Sequence, residues 1–334
     1  MRCLSWPISL PPVGLRTLNS PVFTSLVPVV LFIALGFVAA RAAWIRAAAV
    51  KDLSNLVFMV LTPALLFRTM STVHIEQLNF RPVWLYFAVA AGLFTVLLVV
   101  QGTNSRSAVL ALSGTFSNTV MIGIPLIGLA YGKDALVLLF TLISLHALVL
   151  LTMATVVLEL LQAREQVQAG LAPERHRLAT IGLAIRNAVV HPVPMPIIAG
   201  LLFAQTGWTL PEVVDRPLLL LGNAFGPVAL VLVGVTLSQA HVGREFKGAL
   251  ALAGVKTLLH PLLMALAGWA GGLRGPSLVV LVVAASLPIG ANVFLFSQRY
   301  QKAQDLVTAG VAVSTVLALF SVTLVMTLVP LIAN

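Results

Sequence analysis

The chain has 334 residues, 59% of them hydrophobic and 9% charged, with a net charge of +10. A soluble domain carries roughly a quarter charged residues, so this composition excludes a soluble enzyme and, equally, intrinsic disorder. The 20 Lys and Arg fall between long apolar runs, which points to loops beside anionic headgroups rather than to nucleic acid.

Residues 1–21 form a lead. Pro7, Pro11 and Pro12 interrupt any helix, and the pattern of a signal peptide is missing. The lead reads as disordered or as an over-extended start, with a short interfacial segment as the alternative. Cys3, the single cysteine, excludes an internal disulfide and a cysteine zinc cluster. Nothing in the sequence asks for a metal or a cofactor.

A bilayer crossing needs about 20 mostly apolar residues, and ten runs qualify: about 22–40, 54–72, 83–101, 107–130, 135–158, 192–208, 217–238, 248–270, 276–297 and 307–331. Lipid offers the backbone no partners, so the runs are helices and the fold class is all-α integral membrane. The one long polar stretch, 162–191, reads as a solvated linker. It divides the chain into repeat one at 22–161, with helices 1–5, and repeat two at 192–334, with helices 6–10.

Lys and Arg set the orientation. With the N-terminus outside, the inner loops hold Arg41, Arg46, Lys51, Arg106, Arg164, Arg175, Arg177, Arg186, Arg244, Lys247, Arg299 and Lys302. The outer side holds Arg2, Arg16, Arg68, Arg81, Lys133, Arg216 and Arg274. The positive-inside bias therefore predicts both termini outside the cell membrane and the linker in the cytoplasm.

The halves repeat at a constant offset of 164 residues: Pro28 with Pro192, Gly36 with Gly200, Pro63 with Pro227. Five spans per half is odd, so the second half enters from the opposite side and the repeat is inverted, as in many secondary transporters. Such folds bind substrate near the midplane, where corresponding helices are broken by Gly or Pro. Two spans fit: the fourth, Ser113 to Pro125 (SGTFSNTVMIGIP), and the ninth, Ser286 to Val293 (SLPIGANV). Each combines proline, glycine, small hydroxyls and one asparagine in mid-span. Candidate substrate-binding residues are Asn118, Asn292, Ser117, Thr119, Ser286 and Gly290; Gly123, Pro125 and Pro288 are the helix breaks.

At these residues the chain resembles the auxin efflux carrier family, which includes plant auxin carriers and bacterial malonate-type permeases. FSNTVMIGIPL is similar to that family's Phe-x-Asn-Thr-Gly-x-x-Gly-x-Pro signature, and LPIGANVFLFSQRYQ to its Pro-x-x-x-Asn motif with a Gln-x-Tyr exit. LTPALLF and Lys256-Thr-Leu-Leu-His260-Pro261 add weaker likeness. Val120 stands where the family usually has Gly, and Gln301 where Gly often follows the Tyr. The resemblance covers about residues 22–331. It implies ten helices in an inverted five-plus-five repeat, with discontinuous helices 4 and 9 crossing as in bile-acid symporters and sodium/proton antiporters. It also makes a homodimer an expectation.

All ten acidic residues lie in loops or at span ends, so no carboxylate is left at the midplane for a metal or a cationic substrate. The crossing supplies amides, hydroxyls and helix N-termini, each carrying about half a positive charge, which suits an anion. Lys256 lies about eight residues into its span and reads either as a substrate attractor or as a lysine snorkelling to the interface. His260, at i+4, reads as a proton site or as a histidine bonding a backbone group beside Pro261. His146 reads as an interhelical hydrogen bond. Asn55 with Pro63, and Asn223 with Pro227, are second-tier candidates that helix packing explains equally well.

The expected function is secondary or facilitated transport of a small organic anion, a carboxylate such as malonate or an auxin-like acid, with proton coupling open. There is no phosphate-binding Gly-x-x-x-x-Gly-Lys loop for ATP. An intramembrane protease would need paired aspartates, a Ser/His pair or a zinc triad, and none is visible. A sodium symporter of the bile-acid type is the alternative, but Gln101 and Gln298 lie only at span edges. A non-transporting membrane sensor is a further one, and saturable exchange would argue against a channel.

Overall fold

A computed structural model describes residues 21–73, 76, 78–170, 193–240 and 242–333. The lead up to residue 20, residues 171–192 of the linker region and Pro192 of the repeat lie outside the described residues. The helices, in order, are α1 (Pro21–Arg41), α2 (Ala49–Leu56), α3 (Thr62–Met70), α4 (Phe80–Val100), α5 (Ser105–Thr115), α6 (Ile124–Gln168), α7 (Pro194–Gln205), α8 (Glu212–Ser238), α9 (Phe246–Gly254), α10 (His260–Ala270), α11 (Gly275–Ser286), α12 (Ala291–Tyr300) and α13 (Gln304–Ala333). No strand forms among the described residues; the one isolated β-bridge pairs Ser117 with Ile289.

Seven helical stretches among the described residues are long and apolar enough to cross a membrane, and α7 and α11 are shorter apolar helices. Leu31, Phe320, Leu331 and many other large apolar side chains face outward. In water that surface would drive aggregation; in lipid it is the outer wall. The chain is therefore an all-helical, multi-pass integral membrane protein. α6 is not one straight rod. Gly132, at φ 76 and ψ −163, interrupts it at the boundary drawn from the sequence between the runs 107–130 and 135–158. The helix then continues to Gln168, so the first residues of the polar stretch are helical.

Three π turns interrupt the helices, at Val57–Leu61, Thr119–Gly123 and Val255–Leu259, and each is followed two residues later by proline: Pro63, Pro125 and Pro261. Proline has no amide hydrogen, and its ring crowds the carbonyl four residues back. The chain responds by widening one turn, so that Thr62, Ile124 and His260 bond carbonyls five residues back, at Val57, Thr119 and Val255. Pro227, although paired with Pro63 by sequence offset, sits inside α8 without such a turn.

Two helix contacts are closed by glycine. A Cβ on Gly36 of α1 would overlap the Val231 carbonyl of α8, and one on Gly234 of α8 would overlap the Ile33 carbonyl of α1. Likewise Gly200 of α7 abuts the Phe67 carbonyl of α3, where a Cβ would lie at 2.7 Å. Small residues let helix backbones touch where lipid gives no hydrophobic drive for association.

The helix ends carry the ion pairs and polar ties. Arg68 pairs with Asp215 at 2.7 Å. Arg81 donates to the Gly271 carbonyl at 2.8 Å, and Lys133 to Thr72 at 3.1 Å. Glu165 accepts from the amide and hydroxyl of Ser105 at 2.6 and 2.8 Å and lies 3.9 Å from the Lys302 ammonium.

Candidate functional site

Two helix breaks meet inside the bundle. After Thr115 the chain is extended at Phe116, and after Ser286 it is extended at Leu287. Between them the Asn118 amide donates to the Pro288 carbonyl at 2.9 Å, and the Gly290 amide to the Phe116 carbonyl at 3.0 Å. The Ile289 amide is satisfied by the Ser314 hydroxyl of α13 at 3.1 Å. Opening a helix at membrane depth exposes amides and carbonyls that lipid cannot bond; here each break satisfies part of the other. The fit is close. A Cβ on Gly290 would lie 2.7 Å from the Phe116 ring and 3.0 Å from the Ser117 carbonyl.

A cavity of about 40 Å³, counted as room for the centres of water molecules, opens beside the pair. Its polar lining comes from Ser117, Asn118, Thr119, His146 and Asn292, with the backbone of Gly290, and Phe58, Phe116 and Ile143 supply apolar wall. Helical structure resumes at Thr119 and at Ala291, so two helix N-termini border this space, while Thr115 and Ser286, which end the incoming halves, do not line it. Asn118 uses its side-chain oxygen to cap the π turn, accepting from the Met121 amide at 3.2 Å. Its amide nitrogen, with two donor hydrogens, is the part left for a ligand. Donors and positive helix ends together favour a carboxylate.

Of the residues singled out from sequence, Asn118, Asn292, Ser117, Thr119 and Gly290 come together at the cavity. Ser286 is buried and spends its hydroxyl on the Val283 carbonyl of its own helix. Gly123 packs against Leu287, with Pro125 buried just beyond, and Pro288 supplies the carbonyl for Asn118. Asn55, Asn223 and Pro227 are exposed on the bundle's outside, and Pro63 is half-buried beyond its π turn.

Lys256 and His260 lie away from the cavity lining, and both are fully buried. The snorkelling reading of Lys256 fails: its Nζ points inward and donates to the Ala285 carbonyl at 2.5 Å, near the C-terminus of α11. The backbone bond expected of His260 is missing too, since neither ring nitrogen has a hydrogen-bond partner among the described residues. His146 was expected to bridge helices through a hydrogen bond. Its Nε2 makes none, and its ring packs on Phe116 at 4.4 Å between centroids.

Sequence reasoning missed Tyr86 of α4. Fully buried, it shares a hydrogen bond of 3.0 Å with the Ser117 hydroxyl, and its ring lies 5.5 Å from that of His260 and 5.9 Å from that of His146. The sequence carried little signal for it: Tyr86 stands only four residues into the run 83–101, close to where interfacial tyrosine usually sits. Among the described residues the buried polar side chains are serines, threonines, His146, His260 and Lys256, with no acid.

Residues 21–326 match the model of the family described as "Membrane transport protein". The chain is 27% identical over 296 residues to a "Putative malonate transporter" of Rhizobium meliloti (strain 1021), covering 86% of this chain and 90% of that protein. It is 23% identical over 239 residues to "Auxin efflux carrier component 8" of Arabidopsis thaliana, covering 60% of this chain and 65% of that protein.

Proposed function

Given that the chain belongs to the membrane transport protein family, we propose that it carries a small organic anion, a carboxylate such as malonate or an auxin-like acid, across the cell membrane by alternating access, and that the cavity at the paired breaks binds it. Family and relatives are transporters rather than enzymes. One observation carries the reading. Two helix N-termini and the donor end of Asn118 converge on one cavity, in a bundle whose described interior holds no carboxylate. An unpaired ion in low dielectric costs several kcal/mol or more, so a cation there would go uncompensated, whereas an anion meets donors. In this reading the helices bordering the cavity part to admit substrate and close behind it.

The architecture proposed is ten spans as an inverted five-plus-five repeat, with spans four and nine crossing at the bridge. The glycine contacts support it. An inverted repeat that pairs span one with span six and span two with span seven equates the α1–α8 contact with the α7–α3 contact, and Gly36 and Gly200 sit in the two at the offset of 164. The polar ties support it as well. Alternating spans put Arg68 with Asp215, Arg81 with Gly271, and Lys133 with Thr72 on one side, and Glu165 with Ser105 and Lys302 on the other. By the positive-inside bias the second side is cytoplasmic, and the termini lie outside.

The test is counterflow in proteoliposomes loaded with unlabelled malonate or an indole acid and given the labelled compound outside. Saturable exchange that is lost in Asn118→Ala, with membrane abundance unchanged, is the expected result. Normal exchange in both Asn118→Ala and Asn292→Ala would remove the cavity from the mechanism, and binding without exchange would make the chain a sensor.

A further inference from the structure

We propose that Lys256 is a proton-coupling site: it becomes charged when a carboxylate occupies the cavity and gives up its proton when the carboxylate leaves. The inference rests on the anion-transport reading above and adds the coupled ion to it. Lys256 is 0% exposed, on the π turn that Pro261 forces into its span. Among the described residues its amine donates to Ala285, a carbonyl near the C-terminus of α11, the first half of the broken span. No acidic side chain lies among the buried described residues to balance an ammonium.

The surroundings hold few other ionisable groups. From α4 comes Tyr86, with Arg81 at that helix's start bonded to Gly271. From the same stretch as Lys256 comes His260, and from α6, through the shared contact with Tyr86, comes His146. α11 brings no titratable side chain. α5 brings only Arg106, α9 only Lys247 and α13 only Asp305, all exposed at the starts of those helices.

An ammonium so placed has one carbonyl and no counter-ion, so its charge is costly while the cavity lacks an anion. His260 follows Lys256 one turn on, its ring meets that of Tyr86 at 5.5 Å between centroids, and Tyr86 bonds Ser117, which lines the cavity. A carboxylate bound beside Ser117 is a counter-charge to this amine from within the same buried bundle interior, in a medium that screens it weakly. By linkage, whatever the anion adds to the stability of the ammonium, the proton adds to the affinity for the anion. The proton is drawn from water on the side where the anion enters. It is released on the other side when the anion departs, and no bond other than N–H is made or broken. Each carboxylate thus carries one proton with it, and a pH gradient drives accumulation.

The experiment measures proton uptake on binding. Malonate is added to purified protein in weakly buffered solution at alkaline pH, with binding read separately by calorimetry. The wild type is expected to take up about one proton per malonate bound. Lys256→Met, which keeps the length and removes the charge, and Lys256→Arg, which keeps the charge and does not titrate, should both bind without proton uptake, and neither should accumulate malonate when a pH gradient is imposed. Since Met removes an uncompensated amine from a buried site, its fold is expected to survive, which the melting temperature checks. Binding by the wild type with no proton taken up, or equal uptake in Lys256→Met, overturns the proposal while leaving anion transport intact. Failure of the wild type to bind malonate or an indole acid overturns both.

Discussion

The Asn118 amide reaches the Pro288 carbonyl at 2.9 Å, joining two residues 170 positions apart across the centre of the bundle. That bond and its partner from Gly290 to Phe116 join two interrupted helices back to back beside the cavity. Proline at 288 leaves its carbonyl unclaimed by a following helical turn, and the asparagine amide is unclaimed because a new helix starts there. Each break is tolerable in lipid because the other exists.

The tightness of this joint sets a first expectation. Gly290→Ala places a methyl group 2.7 Å from the Phe116 ring, and overpacking of this kind costs about 1–3 kcal/mol. Thermal melting in detergent should drop and counterflow should fall with it. An unchanged melting temperature would mean that the two breaks do not hold together as described.

Asn118 can be tested for charge separately from fold. Asn118→Asp keeps the side-chain oxygen that caps the Thr119–Gly123 turn, and aspartate caps about as well as asparagine. It also puts a negative charge at the cavity. The variant should fold and lose malonate binding at neutral pH. Retained affinity would argue that the donor end of Asn118 does not face substrate.

Tyr86→Phe removes one buried hydrogen bond, the one to Ser117, at a cost of about 0.5–1.5 kcal/mol. The Ser117 hydroxyl beside the cavity would be freed, so the expected signature is a modest loss of stability with a larger change in anion affinity. An effect on stability alone would confine Tyr86 to packing.

Gly36→Ala should destabilise far more than Gly92→Ala. The first substitution collides with the Val231 carbonyl, a backbone atom that cannot swing aside, whereas a Cβ at Gly92 meets nothing within 4 Å. Equal melting temperatures for the two variants would contradict the α1–α8 contact.

Labelling tests the alternation of spans. In a Cys3→Ser background, Glu165→Cys and Lys302→Cys should react with an impermeant thiol reagent from the same side of a sealed vesicle, and Lys133→Cys from the other. Glu165 and Lys133 reacting from one side would sink the ten-span topology.

Much of this was legible in the residues. Few charges, long apolar runs and mid-span proline with glycine announce a membrane bundle with broken helices, because lipid leaves the backbone one regular solution and proline forbids it locally. The motif around Asn118 and the one around Asn292 were found the same way. The π turns were not foreseen: proline tells where a helix must yield, but whether it widens, as before Pro63, or stays regular, as around Pro227, depends on the packing of the neighbouring helices. Ser286 carried the same composition signal as Ser117, yet of the two only Ser117 lines the cavity.

The sequence by itself determined the solvent of this protein, its secondary structure and the two places where its helices fail, since hydropathy and proline act locally along the chain. The tertiary structure alone decided which residues those failures bring together: that Lys256 turns inward to Ala285 instead of reaching for the interface, and that Tyr86, His146 and His260 gather behind the joint. Such contacts join positions far apart in the chain, and what fixes them is the mutual packing of the helices, which no local pattern of residues encodes.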